Sequence, residues 1–395
     1  MYLIIIMAPI IGLVGKPSSG KSTFFSACTM QTVDISPRPF TTIKPNVGIA
    51  YVRVEDIGNE FGVISQPREG FIKGKYRFLP FQLIDVAGLI PGAHEGKGLG
   101  NQFLNDLNQA EALIHVVDLS GSTDEQGRFI GYGKHDPEKD IQFLETELDY
   151  WYKDVIERNL EKIKRLIRSG KDEQEAISSI LSSFRVSKDI ANDTIKKFGH
   201  IDEWQLLEVA SFLRKETKRI VIAGNKIDLP YAKENFERLK NKYDIIPVSA
   251  EIELALKKAA KKGLIEYIEG ENDFEIRADL NEEQIHALKK IKEIIKTFDS
   301  SGVQKTLEHA VYDILSYIAV FPAGSKLIDK HGRVLPDCFL MPKGSTLIDF
   351  AEKIHGDIAK GLLYGIDVRK KIKLAKDYVL KHRDAIELVS TTKLR

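Results

Sequence analysis

Gly15-Lys16-Pro17-Ser18-Ser19-Gly20-Lys21-Ser22 constrains the fold of this chain more than any other stretch. Its spacing is G-x-x-x-x-G-K-[ST], in which glycines let backbone N–H groups turn inward around phosphate oxygens. The flanks supply the context the motif needs. Residues 11–14 form an apolar run of strand length, and residues 22–28 carry helical spacing. Strand, glycine turn and helix in that order put an anion at a helix N-terminus, where the dipole and unpaired N–H groups favour negative charge. The spacing assigns Lys21 to the β- and γ-phosphates and the Ser22 hydroxyl to Mg²⁺. Gly15, Lys16, Pro17, Ser18, Ser19, Gly20 and Thr23 complete the expected cradle.

Further apolar runs of strand length lie at 48–54, 78–84, 113–118, 219–223 and 245–248. Near-continuous apolar strands alternating with helices predict a mostly parallel sheet covered on both faces, an α/β fold in three layers. Residues 129–218 interrupt the alternation. There Asp136-Pro137-Glu138 reads as a helix start, and Ile141, Leu144, Leu148, Trp151, Val155, Ile163 and Ile167 recur at mostly three- and four-residue steps until Gly170. The pattern predicts a long amphipathic helix, half of a coiled-coil-like hairpin, with a second helical stretch through Trp204, Leu207, Phe212 and Leu213. Its apolar stripe either packs internally or forms a partner-binding arm. Helices are expected again at 281–298 and 305–318. The last residues show short strands and turns over 321–340, then a helix capped by Thr346 with Asp349 three positions on. Its apolar face is Leu347, Ala351, Ile354, Ile358 and Leu362, and a strand at 385–390 closes the chain.

Composition narrows the function classes. The 395 residues hold 58 basic and 57 acidic side chains, so bulk positive charge cannot drive nucleic-acid binding. Cys28 and Cys338 form neither a disulfide framework nor a metal knuckle, which predicts a reducing, cytoplasmic setting. Residues 1–11 are apolar but lack a basic leader and the ~20 residues a span requires, so they read as a buried strand. Initiation at Met7 would keep 11–14 as the strand core. No membrane association is expected.

Three elements follow the phosphate loop in order. Asp85-Val86-Ala87-Gly88 ends an apolar strand, so Asp85 can hold Mg²⁺ through water and the Gly88 N–H can bond the γ-phosphate. Asn225-Lys226-Ile227-Asp228 follows the strand at 219–223, and a carboxylate there accepts the N1–H and 2-amino groups that guanine has and adenine lacks. Ser249-Ala250 can present a backbone N–H to guanine O6. Each element alone is weak; in register they predict a guanine nucleotide site. Thr42, between the first helix and second strand, sits where a threonine ligates Mg²⁺ only with GTP bound, and Gly88, Gly92, Gly96, Gly98 and Gly100 give the next loop freedom to rearrange.

Arg38-Pro39-Phe40-Thr41-Thr42, Asp85-Val86-Ala87-Gly88-Leu89 and Gly92-Ala93-His94-Glu95-Gly96-Lys97-Gly98-Leu99-Gly100 closely resemble the Obg family of GTPases. The helical insertion points to its YchF-related branch, of archaeal or eukaryotic type. Leu340-Met341-Pro342-Lys343-Gly344-Ser345-Thr346 and Asp349-Phe350-Ala351-Glu352-Lys353-Ile354-His355 resemble a TGS domain, a ubiquitin-like β-grasp module. The resemblance implies a discontinuous GTP-binding domain (1–129 and 218–305), a helical insertion (130–217) and a TGS-like domain (318–395). Bacterial YchF proteins carry an altered base-reading motif and prefer ATP, whereas Asn225, Lys226 and Asp228 are intact here, which favours GTP. Many potassium-activated relatives have asparagine where this chain has Ser18, so potassium activation is not expected.

The implied reaction is attack of water on the γ-phosphate, with catalysis by positioning and charge neutralisation. Leu89 follows Gly88, and an apolar side chain cannot orient water, so slow intrinsic hydrolysis is expected. His94 is the nearest substitute by position and ordinary pKa. His115, within an apolar strand, and Asp118 are poorer candidates. Residues 369–383 hold seven Lys or Arg against Asp377 alone, a segment able to meet RNA phosphates or simply to face water. The expected function is a GTP/GDP switch acting on ribosomes through the insertion and tail. A stand-alone nucleoside triphosphatase without a stable RNA partner is the alternative.

Overall fold

The computed structural model of the protein describes residues 8–29, 47–86, 107–324, 326–329 and 331–391. The first part of the chain forms β1 (Ile10–Val14), α1 (Lys21–Thr29), β2 (Val47–Glu55), α2 (Gly58–Phe61), β3 (Phe71–Lys73), β4 (Tyr76–Asp85) and β5 (Ala112–Asp118). The insertion contributes α3 (Pro137–Arg168), α4 (Glu173–Ile180), α5 (Lys188–Phe198) and α6 (Leu206–Thr217). Then come β6 (Ile220–Asn225), α7 (Ala232–Leu239), β7 (Ile245–Pro247) and α8 (Ala250–Lys261). All six expected strands are present, with ends displaced by one or two residues. Two compact units result, one built from the described residues of 10–25 and 84–251, the other from those of 1–9, 26–83 and 252–395.

In the first unit, β1, β5, β6 and β7 lie side by side in that order and all parallel. Val14 is opposite His115, Asp118 opposite Asn225, and Gly224 opposite Pro247. Every residue of β5 is buried, which its unbroken apolar character requires of a strand with neighbours on both edges. Because the strands are parallel, the segments after Val14, Asp118, Asn225 and Pro247 all leave from the same edge of the sheet, the place where open α/β sheets bind ligands.

The insertion is a helical hairpin with two shorter helices between its arms. Asp136 caps α3 by accepting from the Glu138 N–H, and Pro137 occupies the first turn. Ile141, Leu144, Leu148, Trp151 and Ile163 are buried as the periodicity requires, joined by Tyr152 and Ile156. Helix α6 runs antiparallel to α3: Lys164 pairs with Asp202 at one end, Arg214 with Asp149 and Tyr152 with Thr217 at the other. Trp151, Tyr152 and Phe184 form an aromatic cluster between the arms and the intervening turn. Most of the apolar stripe therefore packs internally, with Leu207 left exposed.

In the second unit, β3 forms an antiparallel hairpin with β4, and β2 neighbours β4. A further hairpin, β8 (Ile265–Tyr267) with β9 (Phe274–Ile276), lies where the sequence marked no strand. Its strands are three residues long, too short to show alternation. Helix α9 (Glu282–Thr297) opens with a capping box of Asn281 and Gln284. The helix expected at 305–318 is shorter: α10 (Val303–Glu308) passes into a π-helical turn at His309–Ile314, and Tyr317 already belongs to β10 (Tyr317–Pro322). Pairing of Tyr317 and Ile318 with Pro342 and Met341 of β11 (Phe339–Pro342) overrides the helical periodicity.

The terminal module is a five-stranded sheet in the order β11–β10–β14–β12–β13, with β12 (Leu362–Asp367), β13 (Ile372–Leu374) and β14 (Ala385–Ser390). Thr346 and Asp349 form the expected capping box of α11 (Leu347–Ile354), whose Leu347, Phe350 and Ala351 are buried against Ile318, Val320, Met341 and Ile386. The helix stops at Ile354, not at Leu362. His355 is extended and caps the short α12 (Gly356–Lys360), and Leu362 opens β12.

Candidate nucleotide site

The loop after β1 has the backbone its glycines predict. Gly20 takes a φ of +91°, and a Cβ there would lie 2.2 Å from the Asn225 Nδ2, so no other residue fits. Ser18 also has a positive φ, +60°, which serine rarely adopts. Helix α1 starts at Lys21, leaving the first-turn N–H groups of Lys21, Ser22 and Thr23 without intrahelical acceptors. Gly15, Pro17, Ser18, Gly20, Ser22, Thr23, Lys21 and Lys226 line an open cleft of ≈ 540 Å³.

The charged groups around this cleft are ordered by pairing. Lys21 donates to the Val86 carbonyl at 2.9 Å and pairs with Asp85. Ser22 is exposed at the mouth. Asp85 and Ser22 both offer oxygen, the ligand type Mg²⁺ takes when phosphates complete its shell. These residues fit the ion, which when bound would neutralise charge on the phosphates. The expected third ligand, Thr42, and the candidate catalytic residues Gly88 and His94 lie outside the described residues.

On the base side, Asn225 is buried and spans two loops. Its Nδ2 donates to the Ser19 carbonyl at 3.0 Å and its Oδ1 accepts from the Ala250 N–H at 3.0 Å. Asn225 therefore staples the phosphate loop to the segment after β7. Lys226, at φ +64°, donates to Asp118 Oδ2 at 2.8 Å. Asp228 is exposed, whereas Ser249 and Ala250 are buried.

Asp118 has a role the sequence did not reveal. Its buried carboxylate accepts from the Ser120 N–H and from the hydroxyls of Ser120, Ser122 and Thr123, as well as from Lys226. Burial raises its pKa, but the hydrogen bonds from Lys226, Ser120 and Ser122 outweigh burial and hold it below the ordinary range. The legible signal was a strand-end aspartate followed by a Ser-Gly-Ser-Thr turn. Lys16 is also used differently: its buried ammonium donates to the Thr123 carbonyl and pairs with Asp140 of α3, both at 2.8 Å, so its side chain serves the loop rather than the open cleft.

His115 is a buried strand residue, as its apolar neighbours implied. Burial first, and then the Lys16 charge, lower its pKa to about 3. The unfolded chain takes up a proton below about pH 6.5, while the folded imidazole stays neutral until about pH 3. Its contribution is therefore present above pH 6.5 and lost as pH falls, amounting to about 3 kcal/mol by roughly pH 4. Urea unfolding should show that loss in the native protein and a shallower one in His115→Phe; equal slopes would contradict it.

Three family models match the chain. Residues 10–147 match "50S ribosome-binding GTPase", residues 223–324 match "Obg-like GTPase YGR210-like, G4 motif-containing domain", and residues 320–390 match "TGS domain". An uncharacterised GTP-binding protein of Methanocaldococcus jannaschii is 44% identical over 97% of this chain and 99% of its own. The chain belongs to the YchF-type Obg-like GTPases. A Buchnera aphidicola relative named "Ribosome-binding ATPase YchF" is 30% identical over 89% of this chain and 86% of its own length. The crystal structure of a GTP-binding protein from Pyrococcus horikoshii superposes with a TM-score of 0.75 at 36% identity, covering 96% of this chain and 99% of that one. The YchF GTPase of Schizosaccharomyces pombe shares the fold at a TM-score of 0.59 and 21% identity, over 97% and 98% of the two chains. The architecture is thus a phosphate-loop GTPase fold with a helical insertion and a C-terminal TGS domain. Among the described residues, no helix is long and apolar enough to cross a membrane.

The basic run at 369–383 is only partly open. Arg369 and Arg383 both pair with Glu60, and Arg383 also pairs with Glu55. Lys373 lies over the Tyr364 ring and Lys370 is 3.8 Å from Asp367. Two of the seven cations, which the sequence left open to RNA or to water, instead pair with acidic side chains of the same unit.

Proposed function

We propose that this protein is a slow, Mg²⁺-dependent GTPase that acts as a switch on ribosomes. The observation that carries the GTP reading is Asn225, which ties the Ser19 carbonyl to the Ala250 N–H and so sets the Asp228 carboxylate and the phosphate loop in one frame. Lys226, held by Asp118, borders the same cleft. Asp228 would accept two guanine N–H groups, and adenine presents none there. Lys21 and the first-turn N–H groups of α1 would bind the phosphates; Ser22, Asp85 and Thr42 would hold Mg²⁺, and Lys21, Thr42, Gly88 and His94 would form the reacting centre. Leu89 cannot position water, which supports slow turnover in the isolated protein. Ser18 has a shorter reach than an asparagine amide, which argues against potassium activation.

The GTP-binding domain would comprise 1–129 and 218–305, the insertion 130–217 and the TGS domain 318–395, the last two engaging the partner. Relatives named ribosome-binding support the ribosome as that partner. Of the tail cations, Lys371, Lys376 and Lys381 are exposed and suit phosphate contacts. Co-sedimentation with ribosomes tests the reading, with nucleotide-free, GDP-bound and non-hydrolysable GTP-bound protein compared at moderate and high salt. Pelleting should be strongest with the GTP analogue and weaken in Lys371→Ala/Lys376→Ala/Lys381→Ala. Absence from the pellet in all three states would favour a stand-alone nucleoside triphosphatase.

A further inference from the structure

The buried pair between Lys16 and Asp140 joins two parts of the chain whose functions are otherwise separate. Lys16 is the second residue of the phosphate loop, and Asp140 lies in the first turn of α3, the long helix of the insertion. Both side chains are 8% exposed and 2.8 Å apart. The other Asp140 oxygen meets His135 Nε2 at 2.8 Å. Both charges are largely shielded from water, so removing one leaves the other without its ionic partner.

The connection has a second strand. Gly127, at φ +78°, lies so close to Pro17 that a Cβ there would be 2.7–2.8 Å from three Pro17 atoms. Thr123, whose carbonyl accepts from Lys16, donates its hydroxyl to Asp118, which holds Lys226. A single connected path therefore runs from the base-reading lysine through the 118–127 loop and the phosphate loop to the insertion. Beside the pair is a cavity of ≈ 140 Å³ whose lining includes Lys16, His115, Glu125, Asp140, Phe143 and Leu144. A Lys16 side chain released from Asp140 has room to swing there.

We propose that Asp140 is a positioning residue for the phosphate loop, through which nucleotide occupancy and the packing of the helical insertion are coupled. This rests on the GTP-binding reading of the same site. It adds that a partner gripping the insertion alters nucleotide affinity, because linkage between two sites is reciprocal.

Both tryptophans of the chain, Trp151 and Trp204, are buried in the insertion, so tryptophan emission reports that element alone. In the full-length protein, GDP and a GTP analogue should change this emission. Asp140→Asn should raise the Kd for both nucleotides about tenfold, a coupling typical of contacting groups. It should also abolish the emission change at saturating nucleotide, whereas Asp140→Glu restores part of both. Lys16→Met/Asp140→Asn removes both buried charges and should bind no more weakly than the poorer single variant; it is the variant to use if Asp140→Asn fails to fold. An unchanged Kd, an emission change that persists at saturation, or additive losses would overturn the coupling. Failure of the native protein to bind GTP would instead overturn the nucleotide reading itself.

Discussion

Asn225→Ala should weaken binding of guanine nucleotides by two to three orders of magnitude. The side chain is buried and makes a hydrogen bond of 3.0 Å at each end, one to the phosphate loop and one to the segment after β7. Alanine leaves the Ser19 carbonyl and the Ala250 N–H facing each other across a void with no acceptor or donor between them. Each unmatched buried group costs about 1–3 kcal/mol, and two together correspond to roughly a 100- to 1,000-fold loss if the site is to stay assembled. The φ of Gly20 sharpens the effect, since its backbone is packed directly on the amide being removed. Titration with a fluorescent GDP analogue measures it. A loss of less than about tenfold would mean that the two loops hold their places unaided.

Arg77→Met should destabilise the second unit by about 3–5 kcal/mol, the usual cost of breaking a buried charged network. Arg77 is fully buried in β4 and donates to the carbonyls of Leu335 and Asp337 at 2.7 and 3.0 Å. Its guanidinium lies over Phe321 and 3.8 Å from Asp56, a buried carboxylate otherwise held by the Ser65 hydroxyl and the Gly58 N–H. Methionine fills part of the volume but leaves two carbonyls without their donor and the buried Asp56 carboxylate without its neighbouring cation. Around it, Gln66 and Arg68 donate their N–H groups to Val334 and Pro336, so the loss strikes the seam that seats the TGS domain. The readouts are a lower urea midpoint and earlier protease cleavage near residue 320. A midpoint equal to that of the native protein would show that the backbone pairing at 66–68 suffices.

Local signals located most of the elements. Near-continuous apolar runs marked β1, β5 and β6, and the Asp136-Pro137 and Thr346-Asp349 caps marked α3 and α11 to within a residue. Errors fell where short segments meet long-range partners. Tyr317 and Ile318 have helical neighbours in the sequence, yet pairing with β11 makes them strand. Leu362 continues the spacing of α11, yet the extended His355 ends that helix and β14 recruits Leu362 into the sheet.

The candidate site divides in the same way. Gly15 to Ser22, Asp85, Asn225-Lys226-Ile227-Asp228 and Ser249-Ala250 stand out in the sequence because the proposed phosphate and guanine contacts would require fixed residue types at fixed local spacings. What a side chain touches across the fold has no such signature. Lys16 looks like a loop residue until Asp140, more than a hundred positions away, is seen beside it. Asp118 looks like a spare carboxylate until β5 and β6 bring it opposite Asn225 and under Lys226. Arg369 and Arg383 look like free cations until the terminal sheet places them on Glu60. The sequence by itself determined the phosphate loop, the base-reading motif and the elements that carry them, because those follow from local geometry and hydrophobic period. Tertiary structure alone decided which charges are paired and which remain exposed, because pairing depends on distance in space and burial, and neither is written in the local order of residues.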